Sequence, residues 1–154
     1  MPGLLDNLYF DVNGISKHFG KPDNVSEYDY NERNPGFGLT YESPKNGWIR
    51  GLHAGGYKNS YGDPSLYAGA GLARRFGNEY YADLGGMAGL RTGYDKAKAT
   101  INGQKYDFTD PYKKITPMAG LLANVGIKDK ARLGLKYVPG KKGLLMMNVG
   151  IPFK

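Results

Sequence analysis

Apolar and polar residues alternate along this chain in eight separate runs. A period of two places successive side chains on opposite faces of an extended strand. The runs cover 7–18, 35–43, 47–57, 65–75, 79–93, 114–127, 131–138 and 143–153, with Gly, Pro, Asn and Lys between them. The 154 residues include 24 glycines and 13 tyrosines. Glycine disfavours helix interiors, and tyrosine suits a pleated surface. The chain is therefore expected to be all-β and to form a single domain over 1–154.

Eight is an even number, and the connections alternate in length. Ser43–Asn46, Phe76–Asn78 and Lys128–Lys130 read as tight turns, while 19–34, 58–64, 94–113 and 139–142 form the other set. Alternate connections of a meander lie at opposite ends. The expected architecture is an eight-stranded antiparallel up-and-down β-barrel, with short turns at one end and long loops at the other. Closure also removes the edge strands that an open sheet would expose. A Greek-key sandwich is the competing arrangement.

The strands have two unlike faces. Run 79–93 sets Tyr80, Ala82, Leu84, Ala88 and Leu90 against Glu79, Tyr81, Asp83, Gly85, Met87 and Gly89. Run 131–138 sets Leu133, Leu135 and Tyr137 against Arg132, Gly134 and Lys136. Arg50 and Leu52 share a face, so the division is imperfect. In lipid the apolar face points outward, and in water it points inward. Alternation alone leaves both arrangements open.

With no cysteine there is no disulfide framework and no thiolate nucleophile or metal ligand. His18 and His53 are the only histidines, which argues against a zinc enzyme; no cofactor is expected. The net charge of +7 favours anionic partners. Its basic residues are scattered in short pairs such as Arg74-Arg75 and Lys141-Lys142, which argues against nucleic acid. The start, Met1-Pro2-Gly3-Leu4-Leu5-Asp6, lacks the basic and apolar regions of a signal peptide. A cytoplasmic protein and a mature form that has lost its leader are both consistent with that.

One constellation carries more information. His18 precedes Tyr30-Asn31-Glu32-Arg33-Asn34-Pro35-Gly36; Lys58-Asn59-Ser60-Tyr61 leads into Tyr67-Ala68-Gly69-Ala70-Gly71; and Leu135-Lys136-Tyr137-Val138-Pro139-Gly140 precedes the last strand. In order and spacing these stretches resemble the outer-membrane lipid A palmitoyltransferase family of small barrels, from about Leu8 to the carboxyl end. Similar barrels occur among phage-encoded proteins. The resemblance implies palmitoyl transfer from a phospholipid to lipid A, with a histidine at His18 and an Asp-Ser pair at Asn59-Ser60. The carboxylate is absent here. Asparagine can hydrogen-bond but cannot stabilise a cationic imidazole with charge. Asp63 is close in sequence.

Three functions follow as expectations. The first, favoured by the missing leader and by Asn59, is a non-enzymatic, cytoplasmic ligand-binding barrel of phage type. It would capture an anionic small molecule, such as a nucleotide defence signal or a lipid, through His18, Tyr30, Arg33, Lys58, Ser60 and Tyr61. The second is an outer-membrane acyltransferase with His18, Asn59 and Ser60 as its catalytic positions. The third is a structural virion component. A homo-oligomer is compatible with each.

Overall fold

The computed structural model describes residues 4–19, 32–59, 62–93, 96–101, 104–109, 114–139 and 143–153. A short 3₁₀ turn, Leu4–Asn7, leads into the strands β1 (Leu8–His18), β2 (Arg33–Lys45), β3 (Trp48–Lys58), β4 (Pro64–Gly77) and β5 (Tyr80–Thr92). These are followed by β6 (Lys96–Ile101), β7 (Gln104–Thr109), β8 (Ile115–Ile127), β9 (Ala131–Val138) and β10 (Leu144–Pro152). Eight of them close a barrel in the order β1-β10-β9-β8-β5-β4-β3-β2, every pair antiparallel. The expected barrel is the one observed.

Two local expectations need correction. Segment 94–113 reads as a plain connection in the sequence, yet it carries the hairpin β6–β7. Its alternation is short and isolated from the other strands, so periodicity alone does not separate it from a loop. Strand β2 also runs on to Lys45, past the expected end at Ser43. The turn is only Asn46-Gly47, with φ of 53° and 75°, the left-handed pair that a two-residue hairpin needs. That turn makes Lys45↔Trp48 the hydrogen-bonded pair. Pro44 therefore falls at a non-hydrogen-bonded position, and its missing N–H points past the end of β1.

The faces are distributed in one sense along most of the wall. Leu52, Leu72, Leu84, Leu90, Leu121 and Val125 all face outward, with Leu121 63% exposed. Asp11, Thr40, Glu42, Asp83, Arg132 and Asn148 face inward, with Asp83 0% and Arg132 4% exposed. The interior is filled by large polar side chains set against glycines. A Cβ on Gly150 would stand 2.6 Å from Arg132 Nε and 2.8 Å from Asp11 Oδ1. One on Gly38 would meet the Tyr67 hydroxyl. Among the described residues one apolar cluster packs in the interior, made of Ala73, Met87, Met118 and Leu122 with Tyr67 against them.

Candidate functional site

Strand β1 begins with Tyr9, Asp11 and Asn13 on its inward side. Its pairing then shifts between Asn13 and Ile15 against both neighbours, marking a bulge at Gly14. One extra residue reverses the parity of everything after it. Ser16 is buried and His18 half-buried on the inward side, while Ile15 faces out. Without the bulge His18 would sit on the outer wall. A glycine inside an alternating run was the available sequence signal for this.

Beyond the bulge, Ser16 Oγ donates to Asn34 Oδ1, and Asn34 Nδ2 donates to the Lys58 carbonyl at 2.8 Å. This chain ties the ends of β1, β2 and β3 together at the long-loop rim. Asn59 continues it. It is fully buried, and its Nδ2 donates to Ser65 Oγ at 3.1 Å and to the Gly93 carbonyl. Its Oδ1 accepts from the Asp63 N–H at 3.0 Å. The Asn59 backbone also exchanges bonds with Asp63 and Gly62. Asn59 thus pins the β3–β4 connection to the end of β5.

The remaining expected site residues divide between two surfaces. Arg33 lies on the outward face, opposite the exposed Ile15. Lys58 is exposed at the end of β3, and its carbonyl is the acceptor already named. Tyr30, Ser60 and Tyr61 lie outside the described residues. The structure places His18 on the inward side of the rim that Asn59 and Lys58 help to build, and Arg33 on the outer wall.

Sequence reading missed the densest polar constellation, at the tight-turn end of the interior. Arg132 Nη1 donates to Glu42 Oε1, and its Nη2 to Asp11 Oδ1 at 3.1 Å. Arg75 donates from Nη2 to Glu42 Oε2 at 3.1 Å and grips Asp83. Asp11 also accepts from Thr40 Oγ1 and, at 3.0 Å, from Asn148 Nδ2. Each guanidinium lies over a tyrosine ring, Arg75 over Tyr81 at 3.9 Å and Arg132 over Tyr9 at 4.2 Å. Three carboxylates and two guanidinium groups fill the cross-section with charge-assisted bonds. The arrangement is a plug.

Above the plug lies a mainly apolar recess lined by Tyr67, Met87, Met118 and Met146, with Ser16 and Lys136 at its polar edge. Its cavity volume is about 30 Å³, room for only about one or two water molecules, and it reaches the bulge at Gly14 and Ile15. Lys136 Nζ stands 5.7 Å from the centre of the Tyr67 ring.

No family model matches the chain, and no curated protein matches it. Solved structures do. Ail, the attachment invasion locus protein of Yersinia pestis, is 19% identical over 93% of this chain and 95% of its own, with a TM-score of 0.54. Neisserial surface protein A is 16% identical over 95% of each chain, with a TM-score of 0.51. At these identities the likeness is one of fold. The chain has the architecture of small eight-stranded outer-membrane barrels.

Proposed function

We propose that this chain is a membrane-spanning barrel of outer-membrane type, closed to flow, whose long-loop end is a surface for recognition. One observation carries the reading: the apolar face of the wall points outward, and the ionic face points in. A barrel dissolved in water needs the reverse arrangement. Strands of 8–14 residues are of a length to cross a bilayer when tilted. The helix criterion does not apply to a barrel that crosses with strands. This supports the outer-membrane alternative over a cytoplasmic ligand trap.

The plug leaves the two rims for contact with partners. The tight-turn rim is trimmed to hairpins, whereas the connections from β1 to β2 and from β5 to β8 at the other rim are long. The sequence of these connections includes Tyr28, Tyr30, Tyr94, Tyr106 and Tyr112. Tyrosine supplies contact area at low entropic cost in recognition surfaces. Ail is by name an attachment protein, and the second neighbour is a surface protein. The test is size-exclusion chromatography with and without detergent, followed by flotation with phospholipid vesicles. A protein that is monodisperse in plain buffer and does not float overturns the reading.

A second reading has its own support. The recess of Tyr67, Met87 and Met118 beneath His18 has an apolar lining, which the resemblance to palmitoyltransferases implies for an acyl site; at about 30 Å³ it would have to widen to take a chain. Incubation with palmitoyl phospholipid and lipid A tests it. Palmitoylated lipid A that disappears in His18→Ala supports transfer, and its absence with the folded protein excludes it.

A further inference from the structure

Arg50 stands on the outward face of β3, between the outward-facing Trp48 and Leu52. Directly across from it are Ser43 on β2 and Leu72 on β4, and the diagonal neighbours are Tyr41, Lys45, Ala70 and Arg74. None of these is acidic. The carboxylate next in sequence to Ser43 belongs to Glu42, which points inward and is held by Arg132 and Arg75. Arg74 is already committed: it donates to the Asn46 carbonyl at 2.8 Å and lies 5.6 Å over the Trp48 ring. Arg50 is thus a cation on a largely apolar wall with no carboxylate among these strand neighbours.

The wall beside it is concave. Tyr41, Leu52 and Leu72 border a groove whose bed is made of Ala70, Gly86 and Ala88. A strand rises about 3.3 Å per residue, so Arg50 lies about 7 Å along β3 from Trp48. That is within reach of the headgroup level for a side chain that can extend toward it. A cation facing hydrocarbon is costly unless an anion or water meets it.

We propose that this groove is a binding site for a single glycerophospholipid. Its phosphate pairs with Arg50 and the Ser43 hydroxyl, and one acyl chain lies over Ala70, Gly86 and Ala88. The occupant follows from charge and position. Among the side chains that face it across the strands, only neutral and basic groups meet the guanidinium, and the tight-turn end of such barrels faces the periplasmic side. The site rests on the membrane reading given above.

Two measurements separate the two claims. Flotation with phosphatidylglycerol vesicles tests insertion; failure to float overturns both. Native mass spectrometry of the detergent-purified protein then compares retention of dioleoylphosphatidylglycerol with that of dioleoylglycerol, which has the same chains and no phosphate. The expected preference of the unaltered protein for the phospholipid is about fivefold. It should fall to parity in Arg50→Gln and largely return in Arg50→Lys. Equal retention of the two lipids by a protein that floats overturns the site alone, as does an undiminished preference in Arg50→Gln. Lys128→Gln, at a turn far from the groove, should leave the preference unchanged.

Discussion

Arg75 grips Asp83 on the neighbouring strand with two parallel hydrogen bonds, Nε to Oδ1 at 2.7 Å and Nη2 to Oδ2 at 2.8 Å. The carboxylate is fully buried, and the same guanidinium reaches on to Glu42. Through Glu42 the pair joins Arg132 and Asp11, so strands β4, β5, β2, β9 and β1 share one ionic network. Such a network ties strands around the barrel circumference that are distant in sequence.

Removing one cation from it leaves buried carboxylates without compensation. Arg132→Met should cost about 3–5 kcal/mol of stability, because Asp11 and Glu42 both lose a partner. Urea unfolding in detergent micelles measures it. The double variant Arg132→Met with Glu42→Gln should recover part of the loss, since one stranded charge is gone. A loss below about 1 kcal/mol for the single variant would mean that water reaches and solvates these groups.

The outward face can be tested with one substitution. Leu121 lies midway along β8, opposite Gly86, and is exposed. Leu121→Arg should weaken folding into vesicles by about 2–4 kcal/mol, the cost of a cation near the bilayer midplane. On a water-facing surface the same change stays within about 0.5 kcal/mol. Equilibrium refolding into vesicles reads the difference directly.

The bulge at Gly14 is expected to decide where His18 points. With His18→Cys in place, a charged, water-soluble maleimide should label the thiol from the rim. Deleting Gly14 restores simple alternation and turns position 18 to the outer wall, also breaking the Ser16–Asn34 bond. Labelling by the charged reagent should then fall several-fold, and labelling by a lipid-soluble maleimide should rise. Unchanged labelling in the deletion variant would remove the bulge from this role.

Asn59→Asp restores the carboxylate that the palmitoyltransferase pattern expects. It also removes the amide donor to Ser65 and Gly93 and buries a charge. The expected result is a destabilisation of about 1–3 kcal/mol for the β3–β4 connection, seen as faster cleavage of that loop by protease. If the variant instead gains acyl transfer at unchanged stability, Asn59 acts through chemistry and not as an anchor.

Much of the wall was legible because its signal is local. Alternation marked all eight barrel strands, with ends within about two residues, and the tight turns expected at 43–46, 76–78 and 128–130 fell at or beside the observed hairpins. The hairpin β6–β7 was missed because two six-residue strands pairing only with each other leave no longer pattern. At the rim, His18 was noticed in the sequence, but its inward direction depends on the single residue Gly14. Asn59 was noticed for a carboxylate it lacks, while its contacts with Ser65 and Gly93 depend on three strands meeting.

Eight two-faced strands joined by alternating short and long connections are written into the residue order, because strand period and turn chemistry are properties of neighbouring residues. Which face lies inside is not written there, since alternation reads the same in either sense. Closure of β1 onto β10 decided that, and it brought Asp11 to Arg132 and Glu42 to Arg132 across 121 and 90 residues. Buried charges need partners, and only the closed barrel supplies them; that requirement turns the ionic face inward and leaves the leucines to the surroundings.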